Sequence, residues 1–119
     1  MPGFSKSFMY AFTGIRLAFK DNHMKVHMLI AFMVVCAGLF FGITKTEWLI
    51  CFILFGLVMS MEIINTAIEH FVDLVEPNFH PKAGAIKDLA AGAVLVSSIS
   101  AFICGVLIFG KYILDLFSL

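Results

Sequence analysis

The sequence predicts an all-α integral membrane protein, with three transmembrane helices preceded by an N-terminal amphipathic surface helix, in a single membrane domain over 1–119. Three observations predict it. Of 119 residues, 61% are hydrophobic and only 13% charged, and the mean hydropathy is +1.03; a water-soluble domain of this length is far less apolar. Of three apolar runs, the first and third approach or reach the roughly 20 residues a helix needs to cross the hydrocarbon core, while the uncharged part of the second, Trp48 to Met61, is only 14 residues and must extend into an acidic stretch. The basic residues are unevenly placed: Lys6, Arg16, Lys20, Lys25, Lys82 and Lys87 flank one side of the predicted spans, and only Lys45 and Lys111 flank the other. That bias predicts a cytoplasmic N-terminus and a cytoplasmic second loop. Eight basic and eight acidic residues cancel, so no net field points to nucleic acid or to an acidic substrate.

The first element, about 4–20, places Phe4, Phe8, Ala11, Phe12, Ile15 and Phe19 at three- and four-residue steps, with Lys6, Thr13, Arg16 and Lys20 largely elsewhere around the turn. Such a helix suits the plane of a membrane surface. "DNH" offers a break, and the first span follows at about 26–43. With the first long apolar run starting only near Val26, no cleavable signal is expected. The second span, about 48–74, opens on Trp48, an interfacial anchor; its uncharged part stops at Met61 and runs directly into Glu62, Asn65, Glu69 and Asp73. Pro77 and Pro81 end it within "EPNFHPKAG", a short cytoplasmic connection. The third span, about 85–110, carries "AAGAVLVSS", small enough for close helix packing.

Cys36, Cys51 and Cys104 are odd in number and set in apolar runs, which argues against a disulfide framework or a zinc site. His23 and His27 stand at i, i+4, a spacing that can bind metal, but with no third ligand in sequence reach they read as an interfacial pair. His80 reads as structural.

The carboxylates carry the functional question. On a helix, Glu62, Asn65, Glu69 and Asp73 fall within an arc of about 80° over roughly 16 Å. Lipid does not tolerate such a stripe, so it must face other helices, a watery cleft or the cytoplasm. One reading is a helix end emerging into solvent and partly paired with Lys82 or Lys87. Glu62 weakens it, standing immediately after the apolar run. Carboxylates and an Asn near a Lys-Asp pair, Lys87-Asp88, suit phosphoryl transfer: carboxylates to hold Mg²⁺ against phosphate oxygens, a cation for developing charge, and a base for the attacking hydroxyl. Neither a P-loop nor a protein-kinase glycine motif is present.

"EIINTAIEHFVDLVEPNFHPKAGAIKDLAAGAVL" closely resembles the signature of the prokaryotic diacylglycerol kinase family: E-x-x-N-[ST]-A-I-E-x-x-x-D, then a His, a Lys-Asp pair and a small-residue run. "YAFTGIR" and "TEW" are similar to the undecaprenol kinase branch of that family. The resemblance implies a homotrimer with active sites shared between subunits, in the bacterial inner membrane, transferring the ATP γ-phosphoryl group to a lipid hydroxyl, undecaprenol or diacylglycerol, at the cytoplasmic interface. It implies Glu62 as general base beside Asn65, Glu69 as a Mg²⁺ ligand, and Tyr10, Asp73, Lys87 and Asp88 around the nucleotide. The family's second metal carboxylate lies in the loop before the first span. Here Asp21 or Asn22 can stand there, and Asp21 is the chemically sensible choice. The competing class is a small non-enzymatic transport or scaffold subunit whose carboxylate stripe binds a cation.

Overall fold

The computed structural model describes residues 3–118 as four helices, α1 (Phe4–Ala18), α2 (Asn22–Phe41), α3 (Lys45–Val75) and α4 (Pro81–Phe117). Helices α2, α3 and α4 are each long and apolar enough to cross a membrane. At 1.5 Å per residue, the 31 residues of α3 run about 46 Å and the 37 of α4 about 55 Å. Both exceed a hydrocarbon core of about 30 Å, so each projects beyond it.

Local chemistry sets the helix ends. Asp21 caps α2, its side chain accepting from the His23 N–H at 3.2 Å. The helix closes on Gly42, whose φ of 66° lies in the left-handed region that a Cβ disfavours. Thr44 and Glu47 form a reciprocal capping box at the start of α3. Beyond Val75, Pro77 cannot continue the helix, whereas Pro81 sits in the first turn of α4, where its missing N–H costs nothing. His80 is the N-cap there, Nδ1 accepting from the Lys82 N–H at 3.1 Å. The structural reading of His80 thus has a concrete basis.

The pairings fix the topology. Asp73 meets Lys87 beside the connection, and Glu47 meets Lys111 at the other end, so α3 and α4 are an antiparallel hairpin packed along much of its length. Helix α2 runs antiparallel to α3: its N-cap Asp21 reaches Thr66, while Gly38 lies against Trp48. The apolar core lies toward the Glu47 end, where Ile43, Cys51 and Ile108 are buried among Phe41, Trp48, Phe109 and Tyr112. The three cysteines are free. Most other apolar side chains point outward, as expected where lipid or neighbouring helices form the surroundings. Helix α1 buries only Ala18.

Candidate active site

Glu62 lies 17 residues after the first residue of α3, about 26 Å along the axis. If α3 enters the bilayer near its N-terminus, Glu62 is close to the far edge of the core and Asp73 is beyond it. Helical spacing aligns Glu62, Asn65, Thr66, Glu69 and Asp73 toward one side. Glu62 is 2% exposed and Asn65 4%, although each carries a polar side chain in an apolar helix.

Neighbouring elements leave this stripe incompletely satisfied. His27, one turn into α2, brings Nε2 to 3.5 Å from Glu62 Oε2. Glu62 Oε1 has no hydrogen-bond partner among the described residues, and neither has Asn65 Oδ1. Asn65 Nδ2 donates to Glu69 Oε1 at 3.2 Å, which orients the half-buried Glu69 and leaves its second oxygen available. Thr66 Oγ1 donates to Asp21 Oδ2 at 3.3 Å, tying the cap of α2 to α3. Burial works against the Asp21 charge, but hydrogen bonds, among them those from the His23 N–H and the Thr66 hydroxyl, outweigh it and hold this carboxyl below its ordinary pKa. A buried polar atom with no partner costs on the order of 1–3 kcal/mol. Glu62 and Asn65, on successive turns of one helix, thus each leave an acceptor oxygen open to a further donor or cation.

The structure brings Asp21, Glu62, Asn65 and Glu69 to one region, with Asp73 further along the same helix. Asp73 and Lys87 form an ion pair at 2.5 Å, both partly open to solvent. Asp88 is exposed beside it on α4. Tyr10, 64% exposed on α1, makes no side-chain hydrogen bond among the described residues. Asn22, the alternative to Asp21, is exposed at the first position of α2. Asp21 is therefore the loop residue that faces the stripe. Its nearest ligating neighbours, though, are His23 and Glu62, all within 4.8 Å of one another, and Glu69 is not in that group.

Sequence reasoning missed His27, His23 and Thr66. The i, i+4 spacing of the two histidines was visible, but Glu62 reaches them from another helix, and no local pattern announces that. An apolar groove of about 600 Å³ runs from His27 past Val58, Ser98 and Phe102 to Ile113, between α2, α3 and α4.

Comparison with known proteins adds an independent line. The family model described as "Prokaryotic diacylglycerol kinase" matches residues 9–109. The chain is 43% identical over 107 residues to "Undecaprenol kinase" of Bacillus subtilis, covering 89% of this chain and 87% of that protein. It is 35% identical over 106 residues to "Diacylglycerol kinase" of a Synechocystis species, covering 87% of this chain and 61% of the other. A shorter stretch of 47 residues is 45% identical to "Diacylglycerol kinase" of Escherichia coli K12, covering 40% of this chain and 38% of that one.

Proposed function

Because this chain belongs to the prokaryotic diacylglycerol kinase family, we propose that it transfers the γ-phosphoryl group of ATP to a membrane lipid hydroxyl, with undecaprenol ahead of diacylglycerol as the acceptor. That it is a lipid kinase follows from the family and from relatives named for that activity, which sets aside a non-enzymatic scaffold. The preference for undecaprenol rests on the relative that is 43% identical.

The observation that carries the mechanism is Glu62: a carboxylate 2% exposed, with one oxygen near His27 and the other unpartnered. The unpartnered Glu62 oxygen takes the proton of the acceptor's hydroxyl as the hydroxyl oxygen attacks the γ-phosphorus and ADP departs with the bridging oxygen. His27 holds the carboxylate in orientation, and Asn65, with its own free Oδ1, positions the hydroxyl or a phosphate oxygen. The apolar groove ending at His27 gives the lipid's chain a path that leaves its head at Glu62.

Mg²⁺ fits the donor set. It takes hard oxygen ligands, usually one or two carboxylates together with substrate phosphates; Glu69 has an oxygen not used by Asn65, and Asp21 faces the same stripe. When bound, the ion neutralises charge on the phosphate oxygens. Lys87 balances phosphate charge, after exchanging its bond to Asp73 for one to the nucleotide. Asp73, Asp88 and Tyr10 line the nucleotide side.

The remaining parts of the proposal concern setting. The chain works in the bacterial inner membrane with its N-terminus cytoplasmic, and α1 lies on that surface. It assembles as a homotrimer, in which a neighbouring subunit covers part of the polar stripe that so few helices cannot hide. Detergent-solubilised protein given ATP, Mg²⁺ and either undecaprenol or diacylglycerol tests the function directly. A phosphorylated lipid is expected, with faster turnover of undecaprenol, and the absence of product from both lipids would reject the proposal.

A further inference from the structure

We propose that Asp21, His23 and Glu62 form a second kind of metal site, one for a divalent transition-metal cation of the Zn²⁺ class, and that its occupation switches the kinase off. A carboxylate oxygen from each acid and a ring nitrogen of His23 lie within 4.8 Å of one another. Ligands on one tetrahedral Zn²⁺, with donor distances of about 2.0–2.2 Å, stand roughly 3.4 Å apart. Asp21 is only half-buried and His23 is exposed, so side-chain rotation can close that difference.

A second observation points to a ligand. Glu62 is 2% exposed and its Oε1 has no partner among the described residues. A buried carboxylate oxygen without a donor is stabilised by a cation.

The surroundings are already arranged as supports for metal ligands usually are. The His23 N–H donates to Asp21 Oδ1 and holds the Asp21-x-His23 turn in shape. Thr66 fixes the other Asp21 oxygen, and His27 stands at Glu62 Oε2. Three protein ligands of this type leave the fourth position of a tetrahedral ion open to water.

The nitrogen separates this site from the Mg²⁺ site. Mg²⁺ demands near-octahedral oxygen ligation and is commonly held through phosphates, whereas an imidazole among carboxylates suits zinc and its neighbours, which bind such sets more tightly. The two sites share Asp21, and the new one takes Glu62. A bound Zn²⁺ therefore withdraws the base from the acceptor hydroxyl. That inhibitory consequence rests on the reading of Glu62 as base; the binding does not.

The test uses the full-length chain in detergent without nucleotide, titrated with Zn²⁺ in competition with a chromophoric chelator, alongside His23→Ala and His23→Cys. The expected result is one Zn²⁺ per chain with an affinity that falls at least about tenfold in His23→Ala and is retained in His23→Cys, where a thiolate replaces the imidazole. Mg²⁺-dependent phosphorylation by His23→Ala, measured with excess Mg²⁺ and a chelator that takes Zn²⁺ but not Mg²⁺, should match the parent, while its inhibition should need at least about tenfold more Zn²⁺. Equal Zn²⁺ affinity in parent and His23→Ala, or no binding by the parent, would overturn the proposal. Zn²⁺ binding by a protein that phosphorylates no lipid would support the site and reject the kinase reading. Lipid phosphorylation without Zn²⁺ binding would do the reverse.

Discussion

Glu47 and Glu62 are both buried carboxylates on α3, about 22 Å apart along its axis, and their surroundings are opposite. Glu47 has every oxygen occupied: Oε1 accepts from the Thr44 N–H at 2.9 Å and from the Tyr112 hydroxyl at 2.5 Å, and Oε2 meets Lys111 Nζ at 2.8 Å. Around it lie the stacked rings of Phe41 and Tyr112 and the contact of Trp48 with Gly38. Glu62 has one histidine at 3.5 Å and one oxygen with nothing. The difference teaches that burial alone does not identify a reacting carboxylate. Where the oxygens are all taken, the acid joins helices; where one is left over at the edge of an apolar span, the acid has an oxygen to offer, which the proposed mechanism gives to the acceptor hydroxyl.

The comparison is broken most easily at Glu62. Glu62→Gln should lower turnover by about 10²–10⁴-fold, the usual worth of a general base, while leaving nucleotide affinity near that of the parent, as phosphoryl transfer and equilibrium ATP binding will report. Glu69→Gln should instead weaken Mg²⁺-nucleotide binding by at least about tenfold, measured the same way. Equal loss of ATP binding in both variants would mean that the acceptor and metal roles are wrongly divided. Asp21→Asn should raise the Mg²⁺ concentration needed for half-maximal activity, and Asn22→Ala should change it little. An unmoved Mg²⁺ dependence in the first together with inactivity of the second would transfer the loop role to Asn22.

At the other end the expected effects are on stability. A Cβ at Gly38 would meet the Trp48 ring at 2.6 Å, and overpacking of this kind costs about 1–3 kcal/mol. Gly38→Ala should therefore lower the unfolding midpoint in detergent without altering the Mg²⁺ or ATP dependence. Thr44→Ala removes one half of the capping box and should cost about 1 kcal/mol, again by thermal unfolding with activity retained below the transition.

Much of this contrast was legible in sequence, and what was not has a common cause. The three apolar runs marked the long helices, Pro77 and Pro81 marked the break between α3 and α4, and the three- and four-residue steps from Glu62 to Asp73 marked a polar stripe, because each is a pattern along one chain segment. Lys87 was one of two lysines expected near that stripe, and it is the one that meets Asp73. The satisfaction of Glu47 was invisible: Lys111 and Tyr112 stand on α4, and nothing in "TKTEW" reports them. His27 and His23 gained meaning only when α2 laid them beside Glu62. Periodicity assigns a side chain to a face, but only packing says whether its oxygens find donors.

The most direct test of that distinction is the initial rate of lipid phosphorylation by Glu47→Gln, measured well below its unfolding midpoint and beside Glu62→Gln. The account predicts that Glu47→Gln unfolds at a lower temperature than the parent yet phosphorylates lipid at a comparable rate, whereas Glu62→Gln stays folded and loses turnover. A folded Glu47→Gln that has lost turnover, or a folded Glu62→Gln that keeps it, would contradict the claim that the unsatisfied carboxylate is the reacting one.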